Sequence, residues 1–408
     1  MKTLFNLPEK VQFCKNCVIS NHRPNSYPEF THQRERKDAT YMNLDPDTGI
    51  CDACKFAEMK NKSIDWDVRN KELIKLCDKH RSKDNDYDCI VPGSGGKDSV
   101  YASHVLKYEY GMNPLTVTWP PILYTDYGYE NFKNWIEIGG HDNLTLKPNG
   151  RVMKTLTRLS IENLLHPFQT FVLGQKNLAP KIAKKYNIPL VFYGDSEAEH
   201  GNPIAENNTS LRKKSYFSFD NTDNMYLAGH SLKYLKEKHN LSLKDLSIFF
   251  PLQTKHLDNF DLEVHYLGYY KKWIPQEAYY YAVENTKFKQ RPFRTQGTFS
   301  KYSGLDDKFD DLHFYTTYIK FGLGRASYDA SQEIRNDHLT RDEAKKLVKK
   351  YDGKFPDKYF NECLEYIGMT TGEFFKLSEQ FRSPHLWLKT NTNEYKLRHT
   401  VNEDGVND

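Results

Sequence analysis

The sequence lacks any run of about 18 apolar residues, the length a membrane-spanning helix requires, so no span is expected. Met1 to Pro8 carry one basic residue but no long apolar core, so an export signal is not expected and the cytoplasm is. Charge of one sign is missing too. The 58 basic and 54 acidic residues leave only +4, and no basic stripe interleaved with aromatics stands out, which argues against a nucleic-acid partner. There is no internal repeat and no low-complexity tract. Cysteine is scarce, with seven in 408 residues, at positions 14, 17, 51, 54, 77, 89 and 363. An odd number with two CxxC pairs reads as metal ligands plus buried thiols.

What remains is ample for a folded chain. Apolar residues make up 38% and charged residues 27%, and the length predicts two to three domains. Residues 1–62 are loop-rich and hold both CxxC pairs. A charged amphipathic helix is expected over 63–83. From 87 to about 200, short apolar runs alternate with helical patterns. Strands are predicted at 88–93, 115–119, 143–146 and 189–194, with helices at 99–110, 129–138, 151–165 and 176–186. That alternation implies an α/β fold with a parallel sheet covered on both faces. Residues 206–300 are rich in aromatics and poor in periodicity, and read as an insertion or cap. Residues 301–408 are mainly helical in pattern, with a capping box at Thr340 and Glu343, a stop at Gly353 and a polar, frayed tail after Trp387.

The chemistry concentrates at Ser94-Gly95-Gly96-Lys97-Asp98-Ser99, between the first strand and its helix. Glycines let a backbone turn tightly and approach a phosphate. The free N–H groups of a helix start, aligned with its dipole, attract an anion. Ser94 and Ser99 add hydroxyls and Lys97 adds a point charge. The run is not a Walker A loop, because Asp98 follows the lysine, and it is not GxGxxG. It matches the SGGxDS signature of PP-loop ATP pyrophosphatases, which cleave ATP between the α and β phosphates. Ligands of parallel sheets bind beyond the strands' carboxyl ends, where strand order reverses. If strands one and four are neighbours, Gly194, Asp195, Glu197 and Glu199 lie beside the loop. Asp195 and Glu197, with Asp98, are candidate Mg²⁺ ligands, and Thr118 and Gly194 candidate nucleotide contacts. The competing reading of these acids is a solvated loop.

Cys14, Cys17, Cys51 and Cys54 offer four thiolates in two knuckles, a set suited to a closed structural Zn²⁺ site. The 33 residues between the pairs require a looped-out segment. Redox or sulfur-carrier use is the alternative.

With these residues in view, the chain resembles the bacterial N-acetyl sugar amidotransferases, PP-loop enzymes of surface-polysaccharide and flagellar-sugar pathways. The resemblance rests on the cysteine pairs, the SGGKDS loop and Leu123-Tyr124-Thr125-Asp126. It continues through His166-Pro167-Phe168-Gln169, Gly194-Asp195-Ser196-Glu197, Leu267-Gly268-Tyr269-Tyr270, Leu305-Asp306-Asp307-Lys308, Gly322-Leu323-Gly324-Arg325 and Tyr351-Asp352-Gly353. Gly194-Asp195-Ser196 stands where members commonly carry Gly-Glu-Asn. The resemblance implies a HUP-like, adenine nucleotide alpha hydrolase-like domain over 63–205. It also implies conversion of an acetamido group on a UDP- or CMP-linked sugar to an acetamidino group, with ATP, Mg²⁺ and structural Zn²⁺. Lys97, Lys308 and Arg325 become candidate cations for pyrophosphate, and Asp98, Asp195 and Glu197 candidate catalytic acids. Tyr269, Tyr270 and Trp273 become candidate sugar-nucleotide contacts. The chain begins Met-Lys and holds no cysteine in a glycine-flanked nucleophile turn, so a separate glutaminase is the expected ammonia source. The competing reading is a PP-loop tRNA-modifying enzyme, a thiolase or lysidine-type ligase.

Overall fold

Five short strands form one parallel sheet in the computed structural model, which describes residues 2–392 and 394–403. They are β1 (Cys89–Pro92), β2 (Pro114–Thr118), β3 (Asp142–Thr145), β4 (Leu190–Tyr193) and β5 (Glu263–Tyr266), in the order β3-β2-β1-β4-β5. Side chains alternate across the strands. Cys89, Val91, Leu190 and Phe192 face one cluster, with Leu73, Ala102 and Leu106. Ile90, Val191, Leu115, Val117 and Val264 face the other, with Leu156, Leu173 and Leu178. A central strand covered on both faces carries apolar residues at every position, which is why these runs read as strands without alternation. Edge strand β3 is half exposed, and its sequence Asp-Asn-Leu-Thr is mostly polar.

The covering helices are α1 (Asp52–Lys62), α2 (Trp66–His80), α3 (Lys97–Tyr108), α4 (Asp126–Glu137), α5 (Gly150–Leu164) and α6 (Gln169–Tyr186). The bounds follow local chemistry. The Asp65 side chain caps α2, Thr125 caps α4 and Asn149 caps α5. Helix α6 begins seven residues earlier than its periodicity predicts. Gln169 and Thr170, at its start, are buried polar residues, and Gln169 bonds the Glu29 carbonyl and the Ala228 amide.

Two elements differ from the expectation. Strand β5 comes from the aromatic-rich segment, where no strand was expected. Its polar residues hide the pattern: His265 is buried, but the Tyr270 hydroxyl and Glu263 bond its two ring nitrogens at 2.8 and 3.0 Å. The tail after Trp387 is not frayed over the described residues. Trp387–Lys389 pairs with Tyr395–Leu397, and Val401 is buried. Residues 404–408 lie outside the described residues.

The aromatic-rich segment contributes α7 (Pro275–Thr286), packed on α3, and the C-terminal region contributes α8 (Phe309–Phe321), α9 (Arg325–Arg335), α10 (Arg341–Tyr351), α11 (Phe360–Ile367) and α12 (Thr371–Glu379). The Thr340–Glu343 capping box is present, with both hydrogen bonds made. Among the described residues no helix is long and apolar enough to cross a membrane.

One buried ion pair ties the N-terminal segment to the loop after β4. Lys60 on α1 donates to both Glu199 oxygens at 2.9 and 3.0 Å, and to the Trp273 carbonyl at 3.1 Å. Removing one partner of such a pair strands a buried charge, at a cost of about 3–5 kcal/mol. Lys60→Met is therefore expected to destabilise the chain by about that amount, and Lys60→Met with Glu199→Leu to recover most of it. Denaturant unfolding of both variants checks this.

Candidate functional site

The phosphate-loop candidate leaves β1 at Pro92 and enters α3 at Lys97. The order β2-β1-β4 makes this the point where chain connections run to opposite sides of the sheet, the usual ligand position in such folds. Gly95 has φ +87°, and a Cβ there would lie 2.5 Å from the Phe132 backbone, so only glycine fits. Ser99 turns inward, its hydroxyl donating to the Gly96 carbonyl at 2.9 Å. Lys97 pairs with Asp98 at 2.6 Å, and the Trp273 indole N–H holds the other Asp98 oxygen at 3.0 Å. Gly194 comes up against Asp98, as expected if β1 and β4 are neighbours.

The loop opens into a cleft of about 420 Å³. Ser94, Gly96, Lys97 and Asp98 line one side, and Asp306, Asp310, His313 and Arg325 another. The far side is held by local pairing. Asp307 accepts the backbone N–H groups of Ile122, Leu123 and Phe309, while Thr125 N–H donates to the Asp306 carbonyl at 3.0 Å. Gly128, at the start of α4, is what lets the chain come this close, since a Cβ there would sit 2.6 Å from the Asp306 backbone. The Ser94 hydroxyl donates to Asp306 across the cleft.

The electrostatics of the cleft are mixed. Burial pushes the Asp306 carboxyl up to about 7, although the Ser94 hydroxyl favours the ionised form. Burial likewise pushes Asp310 to about 6 and lowers His313 to about 4. Arg325 pairs with Asp329 at 2.8 Å and remains cationic.

The remaining expected residues have other partners. Asp195 is paired with His200; burial opposes its charge, but His200 and Lys97 outweigh burial and hold its pKa below the ordinary value. Glu197 accepts from Asn202 at 2.7 Å and faces Arg212 at 3.6 Å. Asp195 and Glu197 line a separate cavity of about 240 Å³, which shares Gln175 with the cleft. Glu199 is committed to Lys60. Thr118 is buried inside the sheet, its hydroxyl accepting from Asn143 at 3.0 Å.

Lys308 is not brought to the cleft. It starts α8 with its ammonium directed outward, on Glu362 of α11. Tyr269 and Tyr270 are also elsewhere. Tyr269 lies under the Arg69 guanidinium, 3.3 Å from its ring centroid, and Tyr270 packs on His265. Trp273 acts on the loop through Asp98 rather than lining the cleft. Sequence reasoning gave Asp310 and His313 no role. They lie on the first turns of α8, four and seven residues after Asp306, at positions that no local motif marks.

Cys14, Cys17, Cys51 and Cys54 converge, their sulfurs all within 4.8 Å of one another and buried. Cys14–Cys54 and Cys17–Cys51 separations are 3.9 and 3.8 Å. A tetrahedral Zn–S₄ site with bonds of about 2.3 Å has sulfur–sulfur edges of about 3.8 Å, so the set could hold zinc. Arg341 of α10 donates to the Cys17 and Cys14 carbonyls at 3.0 and 3.1 Å, which seats the knuckle on the C-terminal region.

Residues 296–401 match the family model described as LPS biosynthesis protein WbpG-like, C-terminal domain. No curated protein matches the chain.

Two outcomes are expected. Elemental analysis should find about one zinc per chain, lost on Cys51→Ser but kept on Cys77→Ser, with chelation lowering stability by several kcal/mol or more. The Asp306 carboxyl titrates at 3.8 when unfolded and at about 7 when folded, so the folded state holds its proton more tightly. Its contribution to stability falls as pH rises from 3.8 to about 7. Asp306→Asn should flatten that part of the stability–pH curve and melt no lower than wild type at pH 8, as thermal unfolding across pH would reveal.

Proposed function

We propose that this chain is an ATP-dependent amidotransferase acting on a nucleotide-activated N-acetyl sugar in surface-glycan synthesis. The observation that carries the reading is the shared cleft. One wall is the SGGKDS loop, and the facing wall, from Tyr302 to Arg325, belongs to the segment resembling the WbpG-like C-terminal domain of LPS biosynthesis proteins. The family match supports a glycan substrate, and the loop supports ATP.

The donor set fits a triphosphate. Loop amides at the start of α3, the Lys97 ammonium and the Ser94 hydroxyl would hold the β and γ phosphates. Arg325 offers a second cation from across the cleft. Mg²⁺ would take Asp98 with phosphate oxygens, and Asp195 or Glu197 after they leave His200 or Arg212. Zinc in the cysteine knuckle would be structural.

The chemistry answers a definite difficulty. An amide carbon is a poor electrophile because its oxygen is a poor leaving group. The acetamido oxygen attacks the α phosphate of ATP, and pyrophosphate departs. The resulting imidate ester carries AMP as a good leaving group. Ammonia adds to the carbon, AMP leaves, a proton is lost, and an acetamidino group remains. Preorganised cations at the pyrophosphate and a cleft that excludes water favour both steps. Ammonia would come from a separate glutaminase. Residues 1–62 would act as the zinc segment, 63–205 as the nucleotide unit, 206–300 as its cap and 301–408 as the substrate wall.

The test is incubation with ATP, Mg²⁺, ammonium and a panel of UDP- and CMP-linked N-acetyl sugars. Mass spectrometry should find oxygen replaced by NH in one sugar, with AMP and pyrophosphate released. Lys97→Ala should slow this by about 10²–10³-fold. AMP release with tRNA, and none with any sugar, would move the assignment to RNA modification.

A further inference from the structure

A third cavity, of about 310 Å³, lies between the N-terminal segment and α8. It is built from residues 24–41 on one side and 313–328 on the other, and shares His166, His313 and Arg325 with the phosphate-loop cleft. Those three residues are thus a common wall between the two volumes.

The lining leaves polar groups without partners. Asn25 Oδ1, Glu29 Oε2, Arg36 Nη1, His166 Nδ1 and His313 Nδ1 are buried atoms with no hydrogen bond in the protein. Buried polar atoms are normally hydrogen-bonded, so five around one cavity point to a hydrogen-bonding occupant. Asn25 and Glu29 are themselves at least nine-tenths buried. The lining carries Arg34, Arg36, Lys320 and Arg325 beside one carboxylate, Glu29. Arg36 pairs with Asp38 at 2.9 Å and Arg325 with Asp329 at 2.8 Å, and burial lowers the Lys320 amine to about 7. Burial also keeps His32, His166 and His313 neutral, so among the described residues Arg34 is the cation of the lining with no carboxylate partner. The Arg36 guanidinium lies over the Tyr27 ring, 3.6 Å from its centroid, so a flat cation–aromatic pair borders the cavity.

An occupant that is anionic, rich in hydrogen-bonding groups and partly planar fits all three observations. We infer that this cavity binds the nucleoside-diphosphate end of the sugar substrate, with the acetamido end passing the His166–His313 wall into the phosphate-loop cleft. This rests on the proposed function for the identity of the ligand, but its location follows from the cavity itself. Arg34 and Arg36 meet the diphosphate, Glu29 and Asn25 take hydroxyl or base N–H groups, and the stacked His166 and His313 rings, 4.8 Å apart, frame the passage. ATP and sugar nucleotide then approach the reacting amide from opposite sides and never compete for one set of phosphate contacts.

UDP, CMP and UDP-N-acetylglucosamine serve as probes with the full chain. Calorimetry should give binding of at least one probe that Arg36→Gln weakens ten-fold or more and Lys97→Ala leaves within two-fold. Hydrogen exchange on the wild-type chain provides a reading free of folding effects: the bound probe should slow exchange in residues 24–41, and a non-hydrolysable ATP analogue should not. The inference is overturned if no probe binds, if the probe protects only the 94–99 loop, or if Lys97→Ala abolishes probe binding and Arg36→Gln does not. Amidination that proceeds with unchanged KM in Arg36→Gln would refute the cavity and keep the function. Probe protection of 24–41 without amidination of any sugar would keep the cavity and refute the function.

Discussion

The cleft exists because the Asp307 carboxylate takes three backbone N–H groups, those of Ile122, Leu123 and Phe309. Those bonds pin the segment before α8 to the chain leaving β2. Everything across from the phosphate loop hangs on that pin: Asp306 against Ser94, then Asp310, His313 and Arg325 along the same helices. Burial pushes the Asp307 pKa well above the ordinary carboxyl range, and the three N–H groups pull it back. With three backbone N–H groups on its two oxygens, Asp307 holds the wall in position.

The cysteine knuckle has a similar relation to the loop after β4. It does not touch the phosphate loop. It anchors α1, whose Lys60 fixes Glu199, and with it the turn carrying Asp195 and Glu197. Cysteine cluster, buried ion pair and candidate site residues form one chain of contacts. The turn that carries the candidate carboxylates is thus held through Glu199 by Lys60, 139 residues away in sequence.

Legibility in the sequence followed the reach of each interaction. The turn at 94–99 was readable as the link between β1 and α3 because its glycines and helix start are local, and so were β1, β2 and β4, whose buried runs need no partner to be recognised. The four cysteines were readable because each knuckle is a four-residue unit, although the 33-residue gap concealed how they meet. Strand β5 was not readable, because its buried histidine is satisfied by Tyr270 and Glu263. Nor was the outward turn of Lys308, which depends on Glu362 fifty-four residues later. Trp273, 175 residues from the Asp98 it holds, could be read only as an aromatic in a crowded stretch.

The seating of the cysteine knuckle on Arg341 has a consequence for how the chain is made. The carbonyls of Cys14 and Cys17 wait for a guanidinium more than 320 residues downstream. A ribosome releases the knuckle long before its seat exists. Metal can organise the four sulfurs early, but the cavity wall formed by residues 24–41 closes only when the last quarter of the polypeptide has emerged. Assembly of the two sides is therefore a late, long-range event, with the loop-closure entropy that such contacts carry. The newborn protein passes through a stage in which the sheet can form while the surfaces that would receive its substrates are still apart.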